Sequence, residues 1–321
     1  MTIPDTLRYT RIPLSHGSGA IPAVGFGTLI RDPVATKLAT KKLMQTAFKE
    51  GTIRREDVFV TTKLWNTNHR PERVKPAFDA SRRRLQIDYV DCYLIHTPFA
   101  FRPGGDQDPR DERGQVIYDP GVTLLETWQA LERLVDDGQC QSIGLSDITL
   151  EKLREIFAAA RIKPAAVQVE CHPYFPQWDL LDFCWEHGIV VQAGPPLAHA
   201  SQPRIGDDPA IAAIAQRVDR TPAQVALAWA VQRGTAVLTT STKPDRIREN
   251  FEISALPEDA MREIRYDIMT SIRFNAVVGT GVPGFIPRAN EGLGDATAHP
   301  APPAAAAMAI GAGMLLTTSA T

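Results

Sequence analysis

Val90-Asp91-Cys92-Tyr93-Leu94-Ile95-His96 is a mostly apolar run that ends on a titratable side chain. Upstream, Asp57-Val58-Phe59-Val60-Thr61-Thr62-Lys63 ends the same way. Runs of this length without polar alternation predict strands covered on both faces, the habit of parallel sheets. In α/β folds the carboxyl ends of such strands carry the working groups, because short loops there hold polar side chains on a rigid frame. Lys63 and His96 are therefore the first candidates for chemistry.

Working outward, strand-like runs recur at 25–28, 142–146, 165–170, 189–193 and 236–240, seven with these two. Helical patterns lie between them. Leu124, Leu125, Trp128, Leu131, Leu134 and Val135 recur at three- and four-residue spacing, and Thr123 with Glu126 predicts a capping box. Thr221-Pro222-Ala223-Gln224 reads as a second helix start, with a cap, a first-turn proline and a glutamine behind it. Val74, Phe78, Ser81 and Leu85 mark a third helix. Repeated β-then-α predicts a parallel sheet with helices outside. No G-x-G-x-x-G follows the first strand, which argues against a dinucleotide-binding domain of the doubly wound type. A (β/α)8 TIM barrel in roughly 250 residues fits. It lacks one strand–helix portion near the N-terminus, because 33–51 reads as a single helix where a strand is due. The predicted domain is 1–288, entered through a hairpin at about 7–24.

The tail, 289–321, is rich in Ala, Gly and Pro and predicts a poorly ordered extension. Its apolar run from Ala304 to Leu316, broken by Gly311 and Gly313, is too short to span a bilayer; contact with a membrane surface is the alternative reading. Of the 321 residues 44% are hydrophobic and 22% charged, with a net charge of −2, so neither nucleic acid nor an anionic membrane is attracted in general. Four cysteines in so long a chain make no disulfide framework, and with no apolar leader after Met1 a cytoplasmic setting is expected. Cys171, His172, Cys184 and His187 are superficially zinc-like, but no C-x-x-C clamp accompanies them and packing is the preferred reading.

Six stretches, in order, carry a resemblance. Ile21-Pro22-Ala23-Val24-Gly25-Phe26-Gly27-Thr28, Thr62-Lys63-Leu64-Trp65, Leu94-Ile95-His96, Ile143-Gly144-Leu145-Ser146-Asp147, Val167-Gln168-Val169-Glu170-Cys171-His172-Pro173-Tyr174 and Pro244-Asp245-Arg246-Ile247-Arg248-Glu249-Asn250 resemble the aldo-keto reductases from about Ile12 to Arg288. The resemblance implies a (β/α)8 barrel that transfers hydride between NADP(H), with NAD(H) second, and an aldehyde or ketone. Secondary-metabolite and xenobiotic carbonyls are typical substrates. It implies a small-molecule carbonyl partner, a monomer, and no metal.

Of the family's four catalytic side chains, Lys63 and His96 match the Lys and His. The Asp and Tyr belong to a motif like G-x-R-x-I-D-x-A-x-x-Y-x-N-E, which this chain does not contain. That absence and the missing strand read as one deletion. The alternative function is accordingly a catalytically impaired dinucleotide-binding homologue, a truncated pseudoenzyme or the product of a misread gene. Without the Asp, the Lys63 pKa is expected to fall. His96 is read as donating to the carbonyl when neutral, or as replacing the lost acid when protonated. Tyr118 is the plausible stand-in for the Tyr. Cofactor positions implied by the resemblance are Thr28, Ser146, Asp147, Gln168, Leu197, Ser241, Arg246, Glu249 and Asn250. Asp147 stands for the usual Asn, Thr240 for a Lys, and Gly194 for an aromatic ring that stacks on the nicotinamide. Trp65, Phe99 and Tyr118, with Phe101, are the predicted walls of the substrate pocket, on or beside the long loop 97–122.

Overall fold

The structure is a computed structural model; it describes residues 7–17, 19–28, 46–198 and 202–275, and the backbone of 309–310 and 314–317. The expected helix over 33–51 and the missing strand fall largely outside these residues, where only the turn at 46–49 is seen to be helical. The chain divides into two compact units, 1–13 with 19–26 and 168–315, and 14–18 with 27–167 and 316–321.

The first unit opens with a hairpin of β1 (Thr10–Pro13) and β2 (Ala20–Pro22), antiparallel, with Ile12 opposite Ile21. Parallel strands follow. β3 (Val24–Gly27) pairs with β9 (Ala236–Thr239), Val24 opposite Val237, and β9 pairs with β8 (Val190–Ala193). Two strands lie in the tail: β10 (Ala309–Ile310) pairs with β1, and β11 (Met314–Thr317) neighbours β3. The helix Pro222–Gln232 starts as its sequence dictates. Thr221 accepts from the Gln224 amide, Gln224 reaches back to the Thr221 amide, and Pro222 fills the first turn. Arg233 just beyond it is 1% exposed, yet its guanidinium lies 4.1 Å from the Trp178 ring and 4.4 Å from the Trp229 ring and donates to the Pro176 carbonyl. Cation–π contact and a carbonyl acceptor compensate a charge that burial would otherwise forbid.

The second unit holds β4 (Val58–Leu64), β5 (Cys92–Ile95) and β6 (Ile143–Ser146), parallel, with Lys63 beside Leu94 and Leu94 beside Gly144. Every residue of the three strands is buried, which is why the sequence shows no alternation. The helices Pro71–Leu85, Leu124–Asp136 and Leu150–Ala159 cover them. Trp128, Leu131 and Leu134 are buried as the helical spacing predicts, and the Thr123–Glu126 capping box forms. Asp91 fastens the strand starts: its carboxylate accepts from the Val60 amide at 2.8 Å and from Arg55 at 2.7 Å. Gly144 is required by a close approach, since a Cβ there would lie 2.1 Å from the Ala166 carbonyl oxygen. β7 (Ala166–Val169) is shared, its first two residues in this unit and its last two in the other.

Candidate active site

β4 and β5 end side by side. The His96 amide donates to the Leu64 carbonyl at 3.1 Å, so the loop after β5 begins one residue past Lys63. Lys63 is 7% exposed. Burial strips its ammonium of water and lowers its pKa to about 8, while Asp147 and Cys92 act in the opposite direction. The expected fall is present, and its cause is desolvation. Asp147, expected only as a cofactor contact, is also the carboxylate that acts on this ammonium. It follows the end of β6 at φ 49°, a left-handed backbone that Asp and Asn tolerate best among residues with a side chain.

His96 is held well below the ordinary histidine value, by burial first and then by the charges of Lys63 and His69. It is therefore a neutral imidazole at pH 7, which corrects the reading of a protonated His96 as substitute acid: burial disfavours the charged ring, and the Lys63 ammonium adds to that. Its Nδ1 is buried without a partner. The Trp65 ring stands edge-on to the imidazole at 4.8 Å, and its Nε1 donates to the Gln107 carbonyl at 2.7 Å. Phe101 contacts Trp65 at 6.5 Å and Tyr118 at 5.7 Å, and Tyr118 contacts Phe99 at 6.3 Å. The structure thus brings Trp65, Phe99, Phe101 and Tyr118 into one aromatic group beside His96.

Sequence reasoning passed over two neighbours. Asn66 is 2% and His69 also 2% exposed, and their Oδ1 and Nε2 atoms are buried without hydrogen bonds among the described residues. Burial lowers the His69 pKa to about 3, with Asp119 opposing. Their signal was available: both lie in the polar stretch Trp65-Asn66-Thr67-Asn68-His69 directly after the lysine strand. Tyr93 is no candidate for a proton donor at this site. It packs against Phe78 at 4.9 Å, and burial pushes its phenol far above the ordinary range.

The remaining cofactor positions are placed as follows. Ser146, buried, ends β6, and Thr28, also buried, follows β3. In the first unit Gln168 on β7 donates to Gln192 at 2.7 Å, and Gly194 follows β8 with Gln168 side-chain carbon 3.6 Å from where its Cβ would stand. Leu197 is half-buried, and Ser241 accepts from the Lys243 amide at 3.1 Å. Arg246 is exposed in the first turn of the helix Pro244–Phe251. Glu249 on that helix accepts from the Thr221 hydroxyl, and Asn250 is buried. A cavity of about 680 Å³ in this unit, lined by Arg8, Gln216, Arg220 and Glu252 among others, contains none of these residues. Of the zinc-like set, His172 engages Glu170 at 2.9 Å and His187 stacks on Phe183 at 4.1 Å.

The Aldo/keto reductase family model matches residues 38–266. The chain belongs to the aldo-keto reductase family. It is 38% identical to dihydrodiol dehydrogenase 3 of Bos taurus over 315 residues, covering 86% of this chain and 96% of that protein. Prostaglandin-E(2) 9-reductase of Oryctolagus cuniculus is 37% identical over 295 residues, covering 80% and 91%. Aldo-keto reductase family 1 member C3 of Homo sapiens is 43% identical over 223 residues, covering 65% and 69%. Among solved structures, the aldose reductase from Schistosoma japonicum superposes with a TM-score of 0.80 at 31% identity, over 87% of this chain and 99% of that one. The fold is thus the (β/α)8 fold of aldo-keto reductases, expressed in the described residues as the parallel strands β3 to β9. No helix among the described residues is long and apolar enough to cross a membrane.

Proposed function

We propose that this aldo-keto reductase is NADP(H)-dependent and reduces an aldehyde or ketone on a small or mid-sized apolar substrate. The observation that carries the reading is the buried pair Lys63 and His96 at the ends of neighbouring strands, with His96 Nδ1 unpartnered and an aromatic group alongside.

The residues present suit a phosphorylated dinucleotide. Arg246 is exposed and makes no ion pair among the described residues, and it stands in the first turn of a helix, where anions are favoured. Arg246 and Ser241 would hold the adenosine phosphate. Ser146 and Asp147 would hold the nicotinamide carboxamide, with ionised Asp147 able only to accept. NADPH, when bound, supplies the hydride.

The chain's own groups then manage the carbonyl oxygen. Neutral His96 donates a hydrogen bond that orients it. On this reading the family's tyrosine donor has no counterpart, since no stretch of the chain matches its motif. Lys63, with a pKa of about 8, is an acid strong enough to deliver the proton near neutrality. Loss of a dedicated general acid lowers rates by ~10²–10⁴. Slow turnover is therefore expected.

The test is a fluorescence titration with NADPH and NADH, followed by NADPH oxidation with 4-nitrobenzaldehyde across pH 6–9. Saturable binding tighter for NADPH is expected, with oxidation that falls as pH passes about 8 and disappears in Lys63→Met. Binding without oxidation at any pH would overturn the reductase reading.

A further inference from the structure

Carbonyl reduction uses Lys63 only as an acid, yet its surroundings are those of a nucleophilic amine. The side chain is 7% exposed and makes no hydrogen bond or close ion pair among the described residues. An amine tied into a salt bridge has its lone pair occupied by a proton; this one has Asp147 acting on it by charge and nothing donating or accepting at Nζ among the described residues. Its neighbour across the strand ends is a neutral imidazole whose Nδ1 is buried and unpartnered, a group able to take and return a proton. Asn66 Oδ1 and His69 Nε2, in the loop just past Lys63, are likewise buried and unpartnered. The rings of Trp65, Phe101, Tyr118 and Phe99 make an apolar wall suited to an aromatic or unsaturated aldehyde.

We propose that the Lys63 amine captures aldehydes covalently as an imine, a second activity at the end of β4 that needs no nucleotide. The proposal rests on the reading above only for the substrate class, a carbonyl. The Nζ lone pair forms a bond to the carbonyl carbon while the C=O π pair moves to oxygen. His96 removes a proton from nitrogen and returns one to oxygen, giving the carbinolamine. His96 next relays the remaining N–H proton to the hydroxyl, which leaves as water as the nitrogen electron pair closes the C=N bond. Aldehyde and amine become imine and water; nothing is oxidised or reduced.

The experiment incubates the full chain with 4-nitrobenzaldehyde and sodium cyanoborohydride at pH 7.5, without nucleotide, and maps the reduced adduct by peptide mass spectrometry. Lys75 and Lys152, whose side chains are 50% and 36% exposed, are internal references. At pH 7.5 an amine with a pKa of about 8 has roughly 10²-fold more free base than an ordinary lysine. Enrichment at Lys63 of at least tenfold over Lys75 and Lys152 is expected, since burial slows access and offsets part of that factor. The yield should rise through about pH 8, opposite to the reductase profile, and His96→Asn should slow it. Labelling spread over surface lysines according to exposure, or an unlabelled Lys63, overturns the proposal. The wild-type map decides by itself even where a variant fails to fold. Trapping at Lys63 without NADPH oxidation would sink the reductase reading and leave this one standing; oxidation without trapping would do the reverse.

Discussion

Replacing Lys63 by Met should stabilise the protein near neutral pH. Burial lowers the Lys63 pKa from 10.5 to about 8, so holding it charged in the folded state costs about 3 kcal/mol at pH 7. The sign follows from proton counting. Below about pH 8 folded and unfolded chains both carry the proton and the cost is fully present. Between about 8 and 10.5 the unfolded chain binds more protons than the folded one, so wild-type stability rises with pH. Met keeps the unbranched stem, removes the charge and suits an apolar site. The expected gain is therefore about 3 kcal/mol at pH 7 and falls towards zero by about pH 10. Urea unfolding followed by tryptophan fluorescence, on both proteins at pH 7 and pH 10, measures it. Other groups that titrate over this range do so in both proteins and drop out of the difference. With urea slopes of about 1–3 kcal/mol per molar, the midpoint gap at pH 7 is of order 1 M or more. An equal gap at both pH values would show that Met gains only packing. A Met variant weaker than wild type at pH 7 would refute the claim that this ammonium is desolvated.

Three further outcomes follow from other contacts. Gly144→Ala places a Cβ 2.1 Å from the Ala166 carbonyl oxygen, a backbone atom that cannot swing aside, so thermal unfolding should show at least the ~1–3 kcal/mol cost of overpacking. Glu170 accepts from His172 at 2.9 Å and from the Phe274 and Asn275 amides at 2.6 Å each; burial pushes its pKa up, but these donors outweigh it and the net shift is downward. Its contribution to stability should be full above the ordinary carboxylate range and lost as pH falls through the lowered folded value, and Glu170→Gln should flatten that acid limb while speeding amide exchange at 274–275. Removing residues 309–321 takes away the partner of β1, which pairs Arg11 with Ala309, and amide exchange over 10–11 should accelerate; unchanged protection there would place that edge's stability elsewhere.

The parallel strands were legible because they are buried on both faces: Val58–Leu64 and Cys92–Ile95 read as largely apolar runs for the same physical reason that leaves every residue in them buried. The helix starts at Thr123 and Thr221 were legible because capping is local chemistry, settled within four residues. The site was legible only where a side chain ends a strand. Lys63 and His96 could be named from position, but what surrounds them comes from residues distant in the chain. The Asp147 carboxylate acts on an ammonium 84 positions earlier because β4, β5 and β6 lie side by side, and no spacing rule announces that. The direction of a pKa can therefore be anticipated while its cause is mistaken: the sequence suggested a missing counter-charge, whereas the structure shows a charge short of water with a different carboxylate acting on it. His96 shows the same limit. A histidine at a strand end is compatible with either protonation state until its burial and its charged neighbours are known; here burial first, and the Lys63 cation second, favour the neutral ring. That choice gives the site its chemistry, since a neutral base beside a depressed-pKa amine can move a proton in either direction near pH 8, where a pair of fixed charges could not.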